Sequence, residues 1–251
     1  MTKYAIEIEY IGKNYSGSQI QGGKGGNDKK TPKTIQAELN IALYTLLKEK
    51  IKTIFSGRTD AGVNAKGQVV HFETDKKIVA SRFINSLNGL LPGDISVLDL
   101  KEVSGDFHVQ KSAKKRYYRY VFYNRKQRSA FDGDLMLTRE DLNIERMKKS
   151  LSYIKGEHDF SAFKSSGSSN PKNVCFIYKA ECKKQGDMIV IDIVGNRFLY
   201  NMVRIIVGSL LMIEKNHLPP KFMKEILNSK DRSKAGKTVN PYGLTLMKVE
   251  Y

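Results

Sequence analysis

Cysteine is scarce in this chain: only Cys175 and Cys182 occur among 251 residues. That count, in a chain with ample core, excludes a disulfide framework and a cysteine-rich zinc site. Both cysteines lie in or beside one strand-like segment, which reads as buried thiols in a cytoplasmic protein. The four histidines, His71, His108, His158 and His217, show no ligand spacing, so no metal is expected. The glycines at 22–26 lack the strand-to-helix setting of a phosphate-binding or dinucleotide loop, so no nucleotide-cofactor fingerprint is read there. No apolar run approaches the length of a membrane span. The opening residues go straight into a strand-like pattern, not the apolar segment of a secretory signal. Membrane attachment is therefore not expected. Acidic residues are also in short supply, 26 against 43 lysines and arginines, for a formal charge of +17. Such a balance attracts polyanions, with nucleic acid the first candidate. The plain alternative is a basic protein whose lysines only keep it in solution.

What is present is a repeated order of elements. Tyr4, Ile6, Ile8 and Tyr10 alternate with polar neighbours and predict a half-buried strand. A glycine- and lysine-rich stretch at 22–33 predicts a basic loop. Ile35, Leu39, Leu43, Leu46 and Leu47 recur at helical spacing. Strands are expected near 52–56 and 67–73. Phe83, Leu87, Leu90 and Leu91 mark a second helix that Pro92-Gly93 stops, and a strand covers about 95–100. The second half repeats the pattern: an aromatic strand at 117–123, a helical stripe at Met147, Leu151 and Ile154, strands near 174–182 and 188–194, a long helix from about Arg197 to Ile213, a short helix near 220–228 and a closing strand at 244–251. This predicts an α+β protein of two ferredoxin-like βαββαβ halves, 1–105 and 106–251. Mainly antiparallel sheets would meet around a central basic cleft. The aromatic-glycine signatures of an RNA-recognition motif are absent, and no helix-turn-helix or zinc module appears.

The chemistry concentrates in Ser56-Gly57-Arg58-Thr59-Asp60-Ala61-Gly62-Val63. Two glycines bracket an arginine and an aspartate between two strand-like runs. Glycine lets a backbone turn sharply and approach a ligand. The loop is read either as a tight turn in which Asp60 bonds its own backbone, or as a reaction centre. In the long helix, Leu199, Val203, Ile206 and Leu210 would form the buried face, with Arg197, Asn201, Arg204 and Gly208 opposite. Arg204 is then a solvated arginine or a fork for a carboxylate or phosphate. In Tyr117-Tyr118-Arg119-Tyr120, the rings serve a core ladder or stack on an extruded base. The run Lys114-Lys115-Arg116 reads as a solvated face or as a phosphate track.

Five blocks in order resemble the TruA family of tRNA pseudouridine synthases nearly end to end: Gly57 to Val63 with Gly67-Gln68-Val69; Leu87-Asn88-Gly89-Leu90-Leu91-Pro92 with Asp94-Ile95; Arg116-Tyr117-Tyr118-Arg119-Tyr120; Gly156-Glu157-His158-Asp159-Phe160; and Phe198-Leu199-Tyr200-Asn201-Met202-Val203-Arg204. The resemblance implies isomerisation of uridine to pseudouridine at positions 38 to 40 of the tRNA anticodon stem-loop, without a cofactor, by a homodimer. It implies Asp60 as the catalytic aspartate, Arg204 as its partner arginine and Tyr118 as the ring stacked on the uracil. Arg58 would assist extrusion of the base. With Lys114, Arg116, Arg197 and Asn201 it makes up the expected substrate-binding set. Two positions depart from the family pattern: Asn64 stands where histidine is usual, and Ser18 where an aromatic is usual. Both are expected to shape the RNA-facing surface. They motivate the alternative of a related synthase acting on another RNA such as rRNA. A non-catalytic RNA-binding protein is the third reading.

Overall fold

The computed structural model describes residues 1–20, 32–167 and 172–251; most of the basic loop expected at 22–33 lies outside them. The chain divides into two units. Unit 1 comprises Met1–Lys114 with Leu246–Tyr251, and unit 2 comprises Lys115–Thr245.

Unit 1 runs β1 (Thr2–Tyr10), α1 (Ile35–Leu47), β2 (Ile54–Phe55), β3 (Asn64–Thr74), α2 (Ala80–Leu90) and β4 (Ile95–Val103). Strand β1 lies between β4 and β3, antiparallel to both. Its alternation holds: Tyr4, Ile6, Ile8 and Tyr10 are all buried. Short β2 also pairs with β3. On the core face of β3, Val70 and Phe72 are flanked by two buried polar side chains, Gln68 and Thr74. Helix α1 starts at Thr34, whose hydroxyl accepts the Ala37 N–H at 3.2 Å. It buries Ile35, Leu39, Leu43 and Leu47 as its spacing predicts, while Leu46, expected on the same face, is only half-buried. Leu90 of α2 is exposed, whereas Leu91, just past the helix, turns inward. Most of the last strand, β10 (Leu244–Glu250), joins this unit and pairs with β3.

Unit 2 contains β5 (Lys115–Asn124), β6 (Leu137–Thr138), α3 (Ile144–Ser152), β7 (Gly156–Asp159), β8 (Val174–Gln185), β9 (Met188–Gly195), α4 (Met202–Lys215) and α5 (Phe222–Ser229). The sheet order is β5-β9-β8-β7, antiparallel throughout, with two-residue β6 parallel to β5. Strand β7 was not expected: four residues without an apolar alternation leave no periodic signal. Cys175 and Cys182 are buried on β8, and burial pushes their thiols up to about 11 and about 12.

The α+β class with antiparallel pairing is as the sequence predicts. The long helix is not. It begins at Met202, because Asn201 sits in the left-handed region at φ 61 and cannot continue a helix from Arg197. Its outward stripe is also covered. At Gly208 an added Cβ would fall 1.8 Å from the Lys237 carbonyl oxygen, so the bare glycine admits the backbone of 235–239 against the helix. With the apolar face turned to the core and this backbone on the opposite side, almost every residue from Met202 to Leu210 is buried, Arg204 only partly.

Candidate active site

The 56–63 loop of unit 1 is anchored from below by a buried polar network. Strand β1 ends at Tyr10, whose hydroxyl lies 2.8 Å from Thr59 Oγ1. Gln68 donates from Nε2 to the Gly57 carbonyl at 2.9 Å, and its Oε1 accepts the Ser56 hydroxyl at 2.5 Å. Ser56 N–H donates to the Val69 carbonyl at 2.8 Å. Burial pushes the Tyr10 phenol up to about 12, so it stays protonated and serves as a neutral strut. A second support comes from residues 12–19. Ser18 Oγ accepts the Thr59 N–H at 2.9 Å while Ser18 N–H donates to the Thr59 carbonyl at 3.1 Å. Gly17, at φ 108, leaves no room for a side chain beneath that carbonyl.

On this base the loop turns. The Asp60 carbonyl accepts the Val63 N–H at 3.1 Å, and Gly62 takes φ 79, the value a type II turn requires at its third position. The loop is thus a tight turn closed by main-chain atoms, and the same turn carries the Asp60 side chain, half-buried. Arg58 is exposed on its rim and donates to Gln19 Oε1 at 2.7 Å.

In unit 2, Tyr118 shares its strand face with Tyr120 and Phe122, which are fully buried, but is itself only half-buried. Its ring meets Phe198 edge-on, with centroids 5.0 Å apart at 81°. Tyr120 is a core residue whose hydroxyl donates to the Asn240 carbonyl at 3.0 Å. Burial raises its pKa, with Arg204 close enough to oppose the shift. Arg204 donates from Nε to the Val239 carbonyl at 2.8 Å and from Nη1 to Asn201 Oδ1 at 2.6 Å. It is therefore not a solvated helix arginine but a half-buried, oriented one.

The remaining expected residues each have their own setting. Lys114 is exposed and its N–H donates to Glu250. Arg116 donates to the Asn196 carbonyl at 2.6 Å. Arg197 precedes the helix, half-buried near Cys175, and shares no helical stripe with Arg204. The two departures from the family pattern work inside unit 1. Ser18 is fully buried under Thr59, so it does not line an RNA-facing surface. Asn64 accepts the Gly12 N–H at 2.9 Å. Gln68 supports the loop as well, and its signal in the sequence is a glutamine in phase with the inward-facing Val70 and Phe72. Among the described residues, no group of three His, Cys, Asp or Glu side chains is arranged to hold a metal, and no helix is long and apolar enough to cross a membrane.

A family model described as tRNA pseudouridine synthase matches residues 151–251. The chain is 42% identical to tRNA pseudouridine synthase A of Thermoanaerobacter sp. (strain X514) over 252 residues, covering the whole of both. It is 40% identical to the protein of that name from Francisella philomiragia, covering all of this chain and 95% of the relative. With the Colwellia psychrerythraea protein it shares 39% identity over 99% of this chain and 93% of the relative. Identity at this level over 93% or more of each relative is not that of a borrowed domain or a short shared motif, and the chain belongs to the TruA family of tRNA pseudouridine synthases.

Proposed function

We propose that this chain isomerises uridine to pseudouridine in tRNA, with Asp60 as the catalytic carboxylate. The observation that carries this reading is the end-to-end identity to proteins named tRNA pseudouridine synthase A, in a chain whose Asp60 loop is braced from two sides. The reaction breaks the N1–C1′ bond, turns the uracil and joins C5 to C1′. The proton lost from C5 is balanced by one gained at N1, so no atom of a cofactor enters the product. Positive charge builds at the sugar as the first bond breaks. A carboxylate answers that demand by stabilising the charge, adding to C1′ or taking a proton from C2′. Arg204 supplies the positive charge that keeps the carboxylate ionised, and Tyr118 supplies a ring against the detached base.

The base must leave its stack, which costs a few kcal/mol. Phosphate contacts from a chain of charge +17 offset part of this. Arg58 and Lys114, both exposed, together with Arg116 and Arg197, are the side chains proposed for those contacts. The same reading places the target at positions 38 to 40 of the anticodon stem-loop, makes the working form a cytoplasmic homodimer, and draws the carboxylate from the first half of the chain and the tyrosine and arginine from the second.

The test is pseudouridine mapping on an unmodified tRNA transcript with uridines at 38, 39 and 40, using wild type and Asp60→Ala side by side. Product at those positions that disappears in the variant supports the proposal. Product at other tRNA positions refutes the site assignment, and absence of product in tRNA alongside product in rRNA refutes the substrate.

A further inference from the structure

Asn201 stands at a junction. Its backbone occupies the left-handed region at φ 61 and ψ 8, and its carbonyl accepts the Ile205 N–H at 3.0 Å to open α4. Asparagine tolerates that conformation better than most side-chain-bearing residues. Its side chain is held at both ends. Oδ1 accepts Arg204 Nη1–H at 2.6 Å, and Nδ2 donates to Ser165 Oγ at 3.0 Å. This orientation is dictated by chemistry: a guanidinium has no acceptor, so only the amide oxygen can face it, and the amide nitrogen must face the hydroxyl. Ser165 is fixed in turn, its N–H donating to the Tyr200 carbonyl at 3.1 Å. On the other side, Arg204 Nε meets the Val239 carbonyl at 2.8 Å. That carbonyl is held near the helix by the contact of Gly208 with the backbone at Lys237, and Gly236 N–H donates to Ser209 Oγ at 2.9 Å.

Two oxygens therefore fix the plane of one guanidinium through Nε and Nη1. A long side chain that would otherwise sample many rotamers is ordered before substrate arrives, which is the condition for a group that must meet a charge in the transition state.

We propose that Asn201, relayed by Ser165, is a positioning residue that orients the Arg204 guanidinium for catalysis, in place of the direct RNA contact its sequence position suggests. The proposal rests on the reading of Arg204 as a participant in the reaction.

The test uses Asn201→Gly, which suits the left-handed backbone while deleting the side chain, Ser165→Ala, which removes the anchor but leaves the asparagine, and Arg204→Lys. Single-turnover rate and tRNA affinity are measured with active protein counted by tRNA-binding stoichiometry, and the arginine side-chain N–H signals are followed by NMR. We expect Asn201→Gly to lower the rate about 10- to 100-fold, the worth of one hydrogen bond to a charged group, with tRNA affinity within about twofold. Ser165→Ala should lower it less. The Arg204 N–H signals should broaden or exchange faster in both, which a purely structural defect elsewhere would not produce. If Arg204→Lys keeps wild-type rate, the reading of Arg204 fails. If Arg204→Lys is impaired while Asn201→Gly and Ser165→Ala keep full rate, or if Asn201→Gly weakens tRNA affinity with the rate intact, the positioning role is refuted. Should Asn201→Gly not fold, Ser165→Ala decides by the same criteria.

Discussion

Ser18→Ala removes a single oxygen at a fully buried position. Its consequence follows from what that oxygen does. Ser18 Oγ accepts the Thr59 N–H at 2.9 Å, and Thr59 is itself buried. The Thr59 carbonyl already accepts the Ser18 N–H, so the alanine backbone keeps one of the two bridges and loses the other. A buried amide left without an acceptor costs about 1–3 kcal/mol. The void left by one oxygen is too small to add a large cavity penalty. The hydroxyl also interacts with the Tyr10 phenol, which keeps its bond to Thr59 Oγ1 in the variant. The expected loss of stability is thus about 1–3 kcal/mol, set by the orphaned amide. With a urea dependence of about 3 kcal/mol per molar, the unfolding midpoint falls by roughly 0.3–1 M. The chain has no tryptophan, so far-UV circular dichroism and tyrosine fluorescence follow the transition. Hydrogen exchange locates the effect: the Thr59 amide should lose protection by more than amides in the centre of β1. An unchanged midpoint with undiminished Thr59 protection would refute the reasoning, because it would mean the amide has another acceptor in the native protein. Since Thr59 precedes Asp60, the same variant should also slow pseudouridine formation while leaving tRNA affinity near wild type.

Other perturbations test other parts of the fold. Gly208→Ala places a methyl 1.8 Å from a backbone oxygen that cannot swing away, and should destabilise unit 2 by about 3 kcal/mol or more in urea unfolding; a neutral result would deny the close contact. His71 is held below its usual 6.5 by burial, and by His108 and Lys3 nearby, against the opposing charge of Glu73; its Nδ1 accepts the Val109 N–H at 3.3 Å. The unfolded chain therefore takes up a proton before the folded one does as the pH falls through about 6.5, so the stability from neutral His71 is present above that pH and lost below it. A His71→Gln variant should lose less stability than wild type between pH 7.5 and 5.5, and an equal loss would exclude His71 as the cause. Arg119 and Asp192 form a two-point ion pair at 2.7 and 3.1 Å, but with side chains 38% and 20% exposed. Arg119→Ala should cost no more than about 1 kcal/mol in thermal or urea unfolding, and a larger loss would mean the pair matters beyond its exposed geometry.

Much of the fold was legible because the signals are local. Alternation along β1 named its four buried residues, and the spacing in α1 named its buried face. Asp60 was legible as a loop carboxylate between glycines, whereas Arg204 read either as a solvated helix arginine or as a fork for an anion. Elements without internal periodicity escaped: β7 has four residues, and the start of α4 turns on the backbone angle of Asn201 alone.

The amino-acid sequence by itself determined the α+β class, most strands and helices, and the family, because side-chain periodicity and ordered motifs are carried by neighbours in the chain. Only the tertiary structure decided what each polar group of the candidate site rests on. Ser18 lies beneath Thr59, 41 residues away, and Val239 reaches Arg204 from 35 residues away. It is the second of these approaches that converts a solvated stripe on a helix wheel into a covered face with an oriented arginine. Periodicity tells a helix which side is apolar, but which distant backbone comes to cover the other side depends on packing, and here on a glycine small enough to admit it.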